Sequence, residues 1–132
     1  MKTIKGVEVK ELPPVNPGDL SKPTFELWKG VLGRQVTLNI REKGTPHKLH
    51  YHTGKDPSKD PERIGLIVGK ARLYAENNKG ETLDMVIEAG KDNVIELVFE
   101  KGVRHDLEYL SLCIILEYRE TPFNSEELDM RY

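Results

Sequence analysis

The stretch Gly44-Thr-Pro-His-Lys-Leu-His-Tyr-His52 holds three of the four histidines of this 132-residue chain. Successive side chains of an extended strand point to opposite faces, so His50 and His52 share a face. Two imidazoles at this spacing can bind one metal ion, and a third from a neighbouring strand completes a facial set. The fourth histidine, in Gly102-Val-Arg-His105, is the candidate for that third ligand. The stretch therefore predicts a strand that carries a metal site.

The composition indicates one soluble globular domain, with 32% charged and 37% hydrophobic residues and a formal net charge of −2. Without a basic field, nucleic acid is not an expected partner. No apolar run approaches a membrane span, and the amino terminus has no signal-peptide core, so we expect no membrane partner. The single Cys113 lies in an apolar run and is expected to be a buried free thiol in the cytoplasm.

The chain shows no sustained helical periodicity, and turn signals recur about every 8–12 residues, which predicts an all-β sandwich or small barrel. We expect a turn at Gly69-Lys70 and an edge strand at residues 6–12. The other predicted strands lie at residues 24–28, 35–41, around the histidines, and at 62–68, 71–75, 83–88, 94–99 and 110–118.

Three segments do not have the pattern of regular strands. Residues 13–23 contain four prolines and are expected to form an extended arm or lid. Residues 53–61 combine glycine with two Asp-Pro pairs and no apolar side chain, which predicts a protruding loop. The polar tail is expected to hold a short helical turn capped by Asn124 or Ser125.

The strand at residues 62–68 indicates which way its side chains face. Glu62, Ile64, Leu66 and Val68 share one parity, and the apolar members predict that this parity points inward. Glu62 would then enter the same interior as the histidines, where a metal or a positive partner must offset its burial. His47 has the parity opposite to His50, and we expect it to be an ordinary polar residue on a half-exposed strand.

These residues resemble the motifs of the cupin superfamily. Gly44, five residues and His50-x-His52 are similar to the start of the first motif, and Glu62, six residues and Gly69 to its end. Gly102-x-x-His105 is similar to the core of the second. The resemblance implies a double-stranded β-helix, a jelly-roll-like barrel over residues 24–118, with an arm at 1–23 and a tail at 119–132. It also implies a divalent transition metal (Fe, Mn, Zn or Ni) on His50, His52, Glu62 and His105.

The chain departs from the family pattern in two places. Nine residues separate His52 from Glu62, where cupins usually have about three or four, which leaves Glu62 either a fourth ligand or a catalytic base. In the second motif, Val94, Glu100 and Tyr109 occupy positions where the family usually has glycine, proline and asparagine.

The resemblance favours a metal-dependent isomerase or epimerase-like enzyme of carbohydrate metabolism that acts on a sugar or sugar-nucleotide. The alternatives are a non-catalytic cupin that binds a small ligand and a metal-dependent dioxygenase. An acid or base in the pocket beyond the ligand set would favour an enzyme. Both faces of residues 110–116 are apolar, which predicts a second covered surface, either the amino-terminal arm or the other subunit of a homodimer.

Overall fold

The computed structural model describes residues 3–19, 21–90, 92–122 and 130–132. Within these residues the chain forms antiparallel strands and one short 3-10 helix, Pro57–Lys59. The strands are β1 (Val7–Leu12), β2 (Gln35–Arg41), β3 (Glu62–Glu76), β4 (Thr82–Ala89), β5 (Val94–Phe99), β6 (Arg104–Tyr109) and β7 (Cys113–Arg119).

Strand β3 is 15 residues long and belongs to both sheets of the barrel. Its first half pairs with β5 and β7 in a sheet of order β1-β5-β3-β7-β2, and its second half pairs with β4 and β6. Buried side chains of both sheets, such as Leu66, Leu73 and Phe99, form one apolar core. The all-β fold that the sequence predicts is confirmed.

The prediction of a turn at Gly69-Lys70 is wrong, because β3 continues through these two residues. Gly69 has a φ of 116°, which gives the strand a bend that few other residues could adopt. The register with β7 shifts between Leu66 and Val68, just before this bend. Glu62, Ile64 and Leu66 are buried as predicted, but Val68 lies beyond the shift and is 42% exposed.

Residues 24–28 do not form the predicted strand; they belong to a segment that covers the outer face of the first sheet. Trp28 has a φ of 50°, a left-handed conformation that interrupts an extended chain. Its backbone N–H donates to the Glu96 carboxylate, and its ring stacks on Tyr118 at a centroid distance of 4.9 Å. The tryptophan ring also lies against Gly65 on β3. The sheet is therefore partly covered on its outer side by its own chain.

The amino-terminal strand is part of the first sheet. Strand β1 pairs with β5, from Val7 opposite Phe99 to Leu12 opposite Val94, so the predicted edge strand is confirmed and the sheet begins before residue 24. The helical turn predicted with Asn124 or Ser125 as its cap lies outside the described residues. Within the described residues, no helix has the length and apolar character that a membrane-spanning helix needs.

The carboxyl-terminal strand begins at Cys113, later than the predicted residue 110. Cys113 is fully buried, as expected for a free thiol that packs as a small apolar residue.

A methyl group at Gly65 would test the packing of the covering segment. Its carbon would lie 2.8 Å from Leu27 Cδ2 and 2.9 Å from Trp28 Cη2, so Gly65→Ala must displace the indole. We expect a loss of about 1–3 kcal/mol in the free energy of unfolding, measured in urea. The matched control is Gly90→Ala, since a methyl group there would meet nothing within 4 Å. Equal stability of the two variants would contradict this packing.

Candidate functional site

A short antiparallel bridge brings the two histidine motifs together. The His50 N–H donates to the His105 carbonyl at 3.1 Å, and the His105 N–H donates to the His50 carbonyl at 2.8 Å. The predicted histidine strand is reduced to this bridge and to a second one between Tyr51 and Arg131. On β6, His105 lies opposite Ala75 of β3. The backbone thus places His105 beside His50, although 54 residues of chain lie between them.

The three predicted histidines converge. The ring centroid of His50 is 4.5 Å from that of His105 and 5.2 Å from that of His52, and each ring offers one nitrogen within 4.8 Å of the others. His52 and His105 are buried, at 4% and 2% exposure. Phe99 stacks on His105 at 4.1 Å and holds its plane. The shared strand parity inferred from the sequence therefore corresponds to a real cluster.

Backbone carbonyl groups fix the orientation of two of these rings. His50 Nδ1 lies 2.8 Å from the Lys48 oxygen, and His105 Nδ1 lies 3.0 Å from the Val103 oxygen. A carbonyl oxygen only accepts, so each Nδ1 carries the proton. The Nε2 atoms are then the ones available for a ligand, which is the usual arrangement of histidines that bind metal.

Glu62 lies between two of the histidines, at the first position of β3. Its Oε2 is 2.6 Å from His52 Nε2, and its Oε1 is 3.5 Å from His105 Nε2. The close contact is not aligned as a hydrogen bond, so Oε2 is buried without an aligned donor among the described residues. Glu62 does not belong to the group of mutually close ligand atoms, which contains the three histidines alone among the described residues.

The charge state of the cluster follows from these contacts. Burial by itself would raise the pKa of Glu62, but the contacts with His105 and His52 and the charge of Lys59 outweigh it and hold that pKa well below its usual value. Burial, followed by the charge of His105, lowers the pKa of His50. An ionised carboxylate thus faces the histidines, and His50 favours its neutral form.

The cluster opens into a cavity of about 500 Å³. Beyond the predicted residues, its wall carries groups that the sequence reasoning did not find. These are chiefly Arg41, Lys59, Asp106, Tyr109 and Glu117. A larger cavity of about 580 Å³ lies between the amino-terminal segment and the outer face of the sheet, but no histidine lines it. The first cavity is therefore the candidate site.

His47 is exposed, as expected of an ordinary polar residue, but it also has a carboxylate partner. It lines the same cavity, and its Nδ1 is 2.7 Å from Asp106 Oδ2. Asp106 directly follows His105 in the chain, and this position is the sequence signal that could have linked His47 to the histidine cluster. Arg41 lies on β2 and Glu117 lies on β7. One face of β2 is polar in the sequence, and this pattern could have indicated that the face lines a cavity.

No family model matches this sequence, and no curated protein matches it either. Solved structures do match. The WlaRB TDP-quinovose 3,4-ketoisomerase from Campylobacter jejuni gives a TM-score of 0.71 at 14% identity, over 98% of this chain and 95% of that one. This chain has the same jelly-roll barrel.

Two more solved structures share this barrel. The dTDP-4-dehydrorhamnose 3,5-epimerase from Sulfolobus tokodaii gives a TM-score of 0.70 at 16% identity, over 99% of this chain and 78% of that one. QdtA, a sugar 3,4-ketoisomerase from Thermoanaerobacterium thermosaccharolyticum, gives a TM-score of 0.66 at 9% identity, over 95% of this chain and 88% of that one. The likeness to these structures confirms the predicted jelly-roll fold.

The lowered pKa of His50 predicts how stability depends on pH. The unfolded chain binds this proton near pH 6.5, and the folded chain binds it only at lower pH. The contribution of neutral His50 to the free energy of unfolding is therefore fully present above pH 6.5, and it is lost as the pH falls toward the pKa of the folded chain. In metal-free protein, we expect the ring resonance of His50 to titrate by NMR with a midpoint below 6.5. The free energy of unfolding should fall less between about pH 7.5 and pH 5.5 in His50→Gln than in the unmodified chain. A midpoint at or above the ordinary value would contradict this.

Proposed function

We propose that this protein is a cupin enzyme that isomerises or epimerises a sugar or sugar-nucleotide. The observation that carries the proposal is the buried Glu62 carboxylate, which lines the cavity and whose Oε2 lies 2.6 Å from His52 Nε2. Proton transfer at a carbon next to a carbonyl needs such a positioned acceptor. The shared fold supports this assignment, because the solved enzymes with this barrel are named as ketoisomerases and an epimerase of nucleotide sugars.

The contents of the cavity favour an enzyme over a non-catalytic binding module. Lys59, Tyr109, Glu117 and the pair of His47 with Asp106 all line it, in addition to the histidine cluster and Glu62. A module that only holds a ligand needs few ionisable groups in its pocket. Several acids and bases beyond a metal-binding set are what a reaction with proton transfers requires.

His52 and Glu62 form the proton-accepting pair of this proposal. A proton removed from the substrate carbon passes to the Glu62 carboxylate, and His52 lies beside that carboxylate and orients it. In an epimerisation the proton returns to the opposite face of the same carbon. In an isomerisation it returns to the neighbouring carbon, and the proton of the hydroxyl group passes to the former carbonyl oxygen. The substrate is neither oxidised nor reduced overall, so the reaction needs no further reactant.

We also propose a divalent transition metal on His50, His52 and His105. The three rings fit it, because one nitrogen of each converges within 4.8 Å and His105 Nε2 is buried without an aligned partner in the described part of the chain. A bound ion would polarise a substrate carbonyl as a Lewis acid. Glu62 lies outside the group of convergent nitrogens, which favours its role as a base over that of a fourth ligand.

Replacing Glu62 by Gln separates the two roles of this residue. As a base, it is needed for turnover and not for the ion, so Glu62→Gln should lower kcat by about 100-fold or more while elemental analysis shows unchanged metal content. His52→Ala is the companion variant, and it should lose the metal as well as the activity. Loss of metal in Glu62→Gln would make Glu62 a ligand instead. A metal-loaded protein that binds sugars yet converts none of a panel of aldoses, ketoses and nucleotide sugars would be a binding module.

We propose a homodimer formed through the outer face of β2. Val36, Leu38 and Ile40 are 58%, 60% and 62% exposed there, and they lie beside Leu116 and Ile114 of β7. The segment around Trp28 covers the neighbouring part of the same sheet, but not this stripe. Pairing of β2 with β2 of a second copy about Leu38 would place apolar residues against apolar residues. It would also give hydrogen-bond partners to the backbone groups on the free edge of β2, which pairs only with β7 in the described chain.

A charge on the β2 stripe tests the dimer. We expect light scattering to report twice the 15.1 kDa of one chain for the unmodified protein, and the mass of one chain for Leu38→Glu. Burying an unpaired carboxylate in an apolar interface is unfavourable, whereas a free surface tolerates it. Val86→Glu is the matched control, since Val86 is 53% exposed on β4, away from the stripe. A monomeric unmodified protein at micromolar concentration would exclude the dimer.

We propose that the protein works in the cytoplasm, where reducing conditions keep a lone thiol such as that of Cys113 reduced.

A further inference from the structure

The loop of residues 53–61, which joins His52 to Glu62, packs into the molecule and does not protrude as the sequence suggested. Asp56 and Ser58 are 1% and 3% exposed. Asp56 caps the 3-10 helix Pro57–Lys59, with its Oδ1 accepting the Ser58 N–H at 3.0 Å. The loop therefore has a defined conformation that directs its side chains.

A buried arginine ties this loop to β7. Arg119 is 5% exposed, and its Nη1 donates to Ser58 Oγ at 3.1 Å. The same guanidinium also pairs with Glu117 on its own strand. Since buried charges of this kind are costly unless they are paired, the loop and the strand are held together at this point.

The loop ends with Lys59 directed at the site. Its ammonium lies 3.2 Å from Glu117 Oε2 and 3.8 Å from Glu62 Oε2, and its side chain is only 13% exposed. Oε2 is also the oxygen of Glu62 that contacts His52. The same carboxylate oxygen thus lies between an ammonium from the loop and an imidazole of the site.

We propose that Lys59 is a positioning residue for Glu62. The ammonium holds the carboxylate in the rotation that presents Oε2 to His52 and leaves Oε1 toward His105. A carboxylate can turn about its last bond, and the two histidines offer it alternative partners, so the third contact selects one orientation. The long connection between His52 and Glu62 is what supplies this third contact. The effect of Lys59 on turnover rests on the function proposed above, whereas the positioning itself does not.

Imidazole ¹⁵N NMR in metal-free protein tests the positioning without any substrate. Glu62→Gln provides the reference in which His52 has lost its carboxylate. We expect Lys59→Met to move the His52 Nε2 signal at least half of the way from its position in the unmodified protein to that in Glu62→Gln. Lys59→Arg restores a cation and should return the signal close to the unmodified position. An unchanged His52 signal in Lys59→Met, or no recovery in Lys59→Arg, overturns the proposal.

Two further variants keep the test decisive. Lys101→Met removes another lysine that contacts the loop, 3.7 Å from Asp60 and 60% exposed, and it should leave the His52 signal unchanged. If Lys59→Met does not fold, Lys59→Gln keeps a polar side chain of similar length without the charge, and the same shift is expected.

Turnover provides the second measurement. Lys59→Met should lower kcat by about tenfold or more, with KM little changed, because the loss concerns a charge-assisted contact to the proton-accepting pair and not a substrate contact. Lys59→Arg should recover most of that rate. If the unmodified protein converts no sugar while the NMR signals respond as described, the proposed function fails and the positioning role stands.

Discussion

The continuous pairing of β3 is the constraint on which both the barrel and the site depend. Its first half pairs with β5 and β7, and its second half pairs with β4 and β6. His105 lies opposite Ala75 near the far end of β3, yet its Nε2 is 3.5 Å from Glu62 at the near end. Strand β3 must therefore bend between these two residues, and both the register shift after Leu66 and the positive φ of Gly69 lie in that stretch. The site spans both sheets, so its geometry depends on that bend.

The buried charge of Glu62 explains why so many polar groups surround it. A carboxylate at 5% exposure is unfavourable unless cations or donors replace the water that it has lost. His52, His105 and Lys59 take that place, and Glu117 balances the added positive charge of the lysine. Such a network does little for stability compared with apolar packing. Its presence at the base of a cavity is therefore better explained by chemistry than by folding.

The sequence predicts the parts of the site that follow from strand parity and fails where local geometry breaks that parity. His50, His52 and Glu62 could be placed on one interior face because their alternation is regular over short distances. Val68 continues the same alternation but lies beyond a register shift, which parity alone cannot reveal. Lys59 was missed because a loop rich in Asp-Pro pairs has the composition of an exposed segment. The buried contact of this loop, between Ser58 and Arg119, forms only in the folded barrel.

Strand β2 links the chemistry of the cavity to the outer surface of the protein. Its polar residues, Gln35, Thr37, Asn39 and Arg41, are half-buried, whereas its apolar residues are exposed. This is the reverse of a strand that packs against an apolar core. Since side chains alternate, a strand that turns polar groups toward the cavity must turn its other face outward. A monomer would gain most from polar residues on that outer face. This apolar face is the one that the proposed dimer would cover, so the polarity of the pocket and the proposed surface for assembly are two aspects of one alternating pattern.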